Sequence, residues 1–190
     1  MSSNALRTIR RPLALAAAIT LCAACADSAP VAPNDGAIST PASAKSSRAE
    51  AERAIATLRR VTARYHNLTA ALDDGFVFLH ACEVRPGEGG VGALYVHFER
   101  LLDGVLDPRS PDALVYEPAR NERERPKLVA AELAIPYALW KGADPPTFLG
   151  AEFQREDEFG VYGLHVWIWR HNPEGMFAEG NPRVSCGEVS

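Results

Sequence analysis

The stretch GVYGLHVWIWRHNPEGMFAEGNPRVSCG, residues 160–187, contains the most strand-like run of the chain. Between Leu164 and Arg170, aliphatic residues alternate with a histidine and two tryptophans, which predicts a strand with two different faces. One face would carry Leu164, Val166 and Ile168, and the other His165, Trp167 and Trp169. Because both faces are apolar, we expect this strand to be central in its sheet and covered on both sides.

Two Asn-Pro pairs follow the predicted strand. Asn172-Pro173 and Asn181-Pro182 are typical of turns, since both residue types favour turn initiation. We therefore expect the chain to fold back as a short arm that ends near Cys186.

A helix is predicted before the strands. Residues Ser47 to Glu50 fit a capping box, and apolar side chains then recur at intervals of three and four residues. Gly75 suits the C-terminal position of this amphipathic helix, which is expected to bend or restart at His66-Asn67. The expected inward stripe consists of Ala51, Ile55, Leu58, Thr62, Tyr65, Leu68 and Leu72.

Short apolar segments separated by turn residues predict the remaining strands. They are Phe76–Cys82, Leu94–Phe98, Ala113–Glu117, Lys127–Ile135 and the weaker Thr147–Phe153. The third and fourth are expected to form a hairpin with a charged tip at residues 121–125, and residues 86–90 a mobile loop. Since strands and helices do not alternate, we predict an α+β fold with one long N-terminal amphipathic helix packed on an antiparallel sheet of about five strands.

The N-terminus has the features of an export signal. Arg7, Arg10 and Arg11 precede an apolar run that is shorter than the roughly 20 residues needed to span a bilayer. Residues 21–25, LCAAC, also resemble a bacterial lipobox, with Cys22 where the pattern has an aliphatic residue. This predicts a signal peptide over residues 1–24 and acylation of Cys25. The alternative is ordinary secretion, with cleavage near Ala24 to Ala26 and no lipid.

The segment after the signal is rich in Ala, Ser and Pro, so residues 25–46 are predicted to be a flexible tether. Residues 47–190 would then form a single globular α+β domain. Removing the signal, which has three arginines and no acidic residue, changes the formal charge from −4 to −7. An acidic domain argues against nucleic acid as a partner, because nucleic acid requires a basic surface.

Four cysteines are present, and two remain after removal of Cys22 and acylation of Cys25. An exported chain meets an oxidising compartment, so Cys82 and Cys186 are expected to form a disulfide. The alternative is a pair of buried free thiols.

The chain offers few groups for chemistry. It lacks a P-loop, a G-x-S-x-G and an H-E-x-x-H motif, which removes the usual grounds for assigning a nucleotide enzyme or a hydrolase. Glu132 lies in an otherwise apolar strand, and a glutamate is rarely buried without a partner. With His165 and His97 it could bind a transition metal, for which imidazole and carboxylate are suitable ligands. The alternative is a structural role for all three residues.

The aromatic face allows two interpretations. His165, Trp167 and Trp169, with Glu132, could line a small-molecule pocket, because amphipathic aromatic side chains often line binding sites. They could equally be plain core covered by the helix.

The C-terminal motif GLHVWxWxxNPxGxF...NPxVxC resembles the signature of an uncharacterised family of bacterial secreted proteins and lipoproteins. The similarity covers about residues 60–187 and includes Asp103-Gly104-x-x-Asp107-Pro108 and Leu114-Val115-Tyr116-Glu117 upstream. It implies no particular activity. Relatives have a histidine before the tyrosine that matches Tyr95, whereas this chain has Leu94 there.

Two functional classes follow. The first is a lipid-anchored protein of the periplasm or cell surface, with a non-catalytic domain that binds a small molecule or an envelope protein. The second is a metal-binding protein or metal-dependent enzyme that uses His165 and Glu132. The sequence does not decide whether the protein is an enzyme, and it leaves the cofactor open.

Overall fold

The structure is a computed structural model that describes the backbone of residues 41–187 and the side chains of residues 47–187. The predicted signal peptide, the predicted acylation of Cys25 and the predicted tether up to residue 40 lie outside this part of the chain.

The described residues form an α+β fold. The helical segments are α1 Pro41–Thr62, a 3-10 turn Ala63–His66, α2 Leu68–Asp73 and α3 Phe98–Leu101. The strands are β1 Val77–His80, β2 Val84–Arg85, β3 Gly89–Gly90, β4 Ala93–Val96, β5 Ala113–Glu117, β6 Lys127–Pro136, β7 Thr147–Phe148, β8 Ala151–Glu152, β9 Gln154–Glu156 and β10 Val161–Val166.

Six of these strands form one antiparallel sheet, in the order β1-β4-β5-β6-β10-β9. The predicted hairpin of β5 and β6 is confirmed, and its tip at residues 121–125 is largely exposed. The expected position of the strand that carries His165 is wrong. β5 and β6 are central, whereas β10 is second from the edge and is flanked there by the short β9.

Both edges of this sheet are short or irregular. β1 pairs with β4 through a register irregularity between Phe78 and His80. At the opposite edge β9 has only three residues, two of them charged.

The helical region changes direction at the predicted position. α1 ends at Thr62, and α2 restarts after Asn67, whose side chain accepts a hydrogen bond from the Thr69 amide. The break shifts the helical phase, so Ala71 is buried and Leu72 is 47% exposed, although Leu72 was expected to face inward. α1 itself begins at Pro41, ahead of the expected start at Ser47.

The helical segments cover one face of the sheet. Ile55 and Leu58 of α1 pack on Leu164 and Val166 of β10, together with Phe153. Next to them, Tyr65 and Phe76 pack on the β5 and β6 side chains Leu114, Tyr116 and Leu128. Since Leu164 and Val166 alternate with His165, that histidine points to the opposite face.

The C-terminal arm covers part of this opposite face. Val184 packs with Val115, Ala130 and Trp167. A disulfide joins Cys82 to Cys186 with a Cα–Cα distance of 5.1 Å, which confirms the predicted pairing.

Residues 86–90, which were expected to form a mobile loop, are tied to the arm. β2 and β3 form a small hairpin, and Gly90 and Asn181 exchange two backbone hydrogen bonds of 3.1 and 3.0 Å. A Cβ at Gly89 would lie 2.4 Å from the backbone carbon of Asn181, so the close approach of hairpin and arm requires glycine there.

Candidate functional site

A cavity of about 180 Å³ opens on the face of the sheet opposite α1, beside the C-terminal arm. Its walls are mainly aliphatic, and its polar groups come from several separate elements. The polar lining residues are His80, Glu83, Arg85, Asp112, Glu132, Glu156, Glu158 and His165.

Glu132 lines the cavity from the middle of β6. The sheet register aligns it with Ala113 of β5 on one side and His165 of β10 on the other, so all three side chains share one face. The residue is 5% exposed, and its Oε2 has no hydrogen-bond partner among the described residues. Burial raises the pKa of Glu132 to about 8, and Glu156 and Asp112 contribute to the rise. The carboxyl group is therefore mostly protonated at neutral pH.

His165 is the cross-strand neighbour of Glu132 on β10. Its Nε2 lies 3.8 Å from Glu132 Oε2, and its ring stacks on Trp167 at a centroid distance of 5.6 Å. Burial lowers the pKa of His165 to about 4, and the positive charge of Arg85 acts in the same direction. At neutral pH the carboxyl group is thus protonated and the imidazole is neutral, so the pair carries no net charge.

Asp112 contributes a second buried carboxyl group to the cavity. It directly precedes β5, and its Oδ2 accepts a 2.9 Å hydrogen bond from the backbone N–H of Ala134. The residue is 1% exposed, and its Oδ1 has no partner among the described residues. Burial raises the pKa of Asp112 to about 7. Two buried carboxyl groups therefore each present an unsatisfied oxygen.

Arg85 supplies the guanidinium group of the cavity lining, and three carboxylates already surround it. It lies 3.6 Å from Glu83 and 3.9 Å from Glu156, and it also pairs with Glu179. The positive charge of Arg85 is thus committed to the β2–β3 hairpin, β9 and the arm, and it does not neutralise Asp112 or Glu132.

The structure brings together some of the predicted site residues. His165, Trp167 and Glu132 lie on the same face, as expected. Trp167, however, is part of the hydrophobic core with Val129 and Val184 and does not line the cavity.

Trp169 lies on the other face, contrary to the prediction. It stacks edge-on against His66 and donates a hydrogen bond from Nε1 to Thr62 Oγ1. The reason is that β10 ends at Val166, where the Ile168 amide bonds to the Val166 carbonyl and interrupts the alternation.

His97 is separated from Glu132 and His165. Its ring packs edge-on against Phe76, on the helical side of the sheet, and does not line the cavity. Among the described residues, no group of three or more His, Cys, Asp or Glu side chains is arranged to hold a metal ion. The three-ligand set His97, His165 and Glu132 is therefore not assembled in this structure.

Sequence reasoning missed Asp112, Arg85 and Glu156. The only local signal for Asp112 was an aspartate directly before the apolar run of β5. Its role depends on the amide of Ala134, which belongs to another strand. Arg85 and Glu156 lie outside the predicted strands.

No protein-family model, curated protein or solved structure matches this chain. Within residues 41–187, no helix is long and apolar enough to cross a membrane. The function must therefore be argued from the cavity.

Proposed function

We propose that this chain is an exported, lipid-anchored cell-envelope protein whose globular domain binds a small molecule without catalysing a reaction. The observation that carries this proposal is the pair of orphaned oxygens, Asp112 Oδ1 and Glu132 Oε2, in two residues that line a cavity with largely apolar walls. Unsatisfied buried polar atoms cost about 1–3 kcal/mol each, and a bound molecule that donates hydrogen bonds would remove this cost.

The size of the cavity suits a small ligand. An apolar cavity of about 150 Å³ in another protein accommodates benzene, and this cavity measures about 180 Å³. Apolar walls combined with polar groups that can fix an orientation are typical of small-molecule sites.

Export and anchoring rest on the N-terminal sequence. The similarity of residues 21–25 to a lipobox and the resemblance of the C-terminal motif to bacterial secreted proteins and lipoproteins both support this location. The disulfide is consistent with an oxidising compartment. We further propose that α1, with Ile55 and Leu58 buried, is one long amphipathic helix that joins the tether to the sheet.

The binding proposal is tested by filling the cavity. Ala134 is 6% exposed and lines it, so Ala134→Leu should occupy the space of the ligand, with Ala134→Val as a smaller variant. Ala56→Leu, at an exposed position of α1, is the matched control.

Thermal unfolding of the purified exported protein should be measured against a panel of small molecules. A ligand at roughly a hundredfold above its Kd stabilises the folded state by about 2.7 kcal/mol. We expect this shift for the wild type and Ala56→Leu and its loss in the cavity-filling variants. Equal shifts in all variants would show that binding occurs elsewhere, and elemental analysis of the same samples tests the alternative of a bound metal.

A further inference from the structure

We infer that the cavity takes a small organic cation, an amine with an apolar body. This inference rests on the proposed function and specifies its ligand class. It follows from the hydrogen-bond needs, the charges and the walls of the cavity.

In the ionised forms of the two carboxyl groups, the unsatisfied oxygens require hydrogen-bond donors. Asp112 Oδ1 and Glu132 Oε2 are buried oxygens without a partner among the described residues, and the two residues, 1% and 5% exposed, both line the cavity. An ionised carboxylate only accepts hydrogen bonds, whereas an ammonium group offers three donors and no acceptor. An ammonium group can therefore donate to such oxygens, which a carboxylate ligand cannot do when the two groups are ionised.

The charges favour the same ligand. Five carboxyl groups line the cavity, from Glu83, Asp112, Glu132, Glu156 and Glu158. The guanidinium of Arg85 is already shared by Glu83, Glu156 and Glu179. A cationic ligand would compensate the buried acids, because an opposite charge within hydrogen-bond distance stabilises the ionised form of a carboxyl group.

The apolar walls of the cavity require that the ligand have an apolar body. Leu94, Val96, Leu101 and Val161 line the cavity. Phe98 and Phe159 also line it and are 44% and 38% exposed, which places aromatic rings where the cavity meets solvent. Aromatic faces attract cations as well as apolar groups, so an approaching amine meets a suitable surface.

Binding of an ammonium group should release protons. Glu132 has a pKa of about 8 and Asp112 a pKa of about 7, so both are partly protonated at neutral pH. An adjacent cation would favour their ionised forms, and affinity should therefore increase by up to about tenfold per pH unit for each coupled proton between about pH 6 and about pH 8. The charged or titratable groups that face these two carboxyls are His165 on β10, Glu156 on β9, Arg85 on β2, Arg100 on α3 and Asp103 after α3.

Three probes of similar shape test the ligand class: benzylamine, benzyl alcohol and benzoate. Titration calorimetry with the full exported protein at about pH 8 should give an affinity for benzylamine at least roughly tenfold above that for the other two. Measurements in buffers of different ionisation enthalpy should show proton release for benzylamine alone.

The variants Glu132→Gln and Asp112→Asn keep the shape of the two side chains and remove their charge. Each should lower the ratio of benzylamine to benzyl alcohol affinity by about tenfold and reduce the proton release. Glu122→Gln, at the exposed hairpin tip, removes the same charge far from the cavity and should leave the ratio unchanged.

The possible failures are distinguishable. Tighter binding of benzyl alcohol or benzoate, abolished by Ala134→Leu, would overturn the cationic class and keep the small-molecule site. If no probe releases binding heat and no compound of the panel raises the unfolding temperature, both the amine ligand and the small-molecule site are overturned. A metal found in the purified protein and lost in Glu132→Gln would also overturn the amine in favour of a metal site.

Discussion

Glu132 and His165 are cross-strand neighbours whose Oε2 and Nε2 atoms lie 3.8 Å apart, and burial holds both in their uncharged forms at neutral pH. A buried ion pair would have to compensate a large loss of hydration. The neutral pair avoids this cost while it keeps a proton donor and an acceptor beside the cavity.

The first prediction concerns the pH dependence of stability. The folded-state pKa values of Glu132 and Asp112, about 8 and about 7, lie above the ordinary values of 4.5 and 3.8. The folded protein therefore retains protons that the unfolded chain releases, and the free energy of unfolding should fall as pH rises to about 8. His165 stabilises the folded state through its lowered pKa, and this contribution is lost only as pH falls below the ordinary histidine pKa of 6.5. Above pH 6.5, Asp112 and Glu132 therefore determine the pH dependence among these three groups.

Urea unfolding between about pH 6.5 and about pH 8 measures this dependence. We expect a decrease of about 1 kcal/mol per pH unit in the wild type and a smaller one in Glu132→Gln. Glu122→Gln makes the same substitution at an exposed site and should follow the wild type. A free energy of unfolding that is constant over this range would show that neither carboxyl retains its proton in the folded state.

The second prediction concerns the space around Glu132. A Cβ at Gly163 would lie 2.7 Å from Glu132 Oε1, so Gly163→Ala should displace the carboxyl group and lower stability by about 1–3 kcal/mol. Glu132→Ala removes the carboxyl group with which the new methyl group at position 163 would clash. In a double-mutant cycle the two changes together should cost less than the sum of their separate effects. Additive costs would mean that the two residues do not contact each other.

The third prediction concerns the disulfide. Cys82→Ser with Cys186→Ser should lower the free energy of unfolding by about 2–4 kcal/mol, because the bond constrains the unfolded chain. Hydrogen exchange should speed up most around Ser185 to Gly187. The Asn181 amide should stay protected, since it bonds to the Gly90 carbonyl at 3.0 Å. Loss of protection along the whole arm would show that the disulfide alone holds it in place.

The fourth prediction concerns the membrane anchor, which lies outside the described residues. Acylation of Cys25 would attach the protein to a membrane, and Cys25→Ser should move it to the soluble fraction. Ser28→Ala, a change outside the lipobox-like residues 21–25, is the control and should leave the protein in the membrane fraction. Wild-type protein recovered in the soluble fraction would contradict lipid anchoring and favour ordinary secretion.

Local patterns in the sequence predict much of this fold. Alternating apolar residues around a charged tip correctly indicate the β5–β6 hairpin, and Asn67 correctly marks the helix restart. A lone glutamate in an apolar strand correctly points to Glu132 as an unusual buried group. Each of these signals is contained within one or two adjacent elements.

The missed features depend on contacts between distant parts of the chain. Trp169 changes face because the backbone turns after Val166, and no residue type in that run announces a turn. β5 begins at Ala113, one residue after Asp112, and the Ala134 amide donates a hydrogen bond to the Asp112 side chain. This contact with another strand holds Asp112 at the site. Sequence periodicity assumes regular strands, so it cannot predict effects that arise where strands begin and end.

The irregular edges of the large sheet affect how molecules of this protein meet one another. β1 has four residues and a register irregularity, and β9 has three residues, two of them charged. Neither edge offers a neighbouring molecule a long, straight row of unpaired backbone groups. The sheet is consequently a poor template for the edge-to-edge strand addition by which β-rich proteins aggregate.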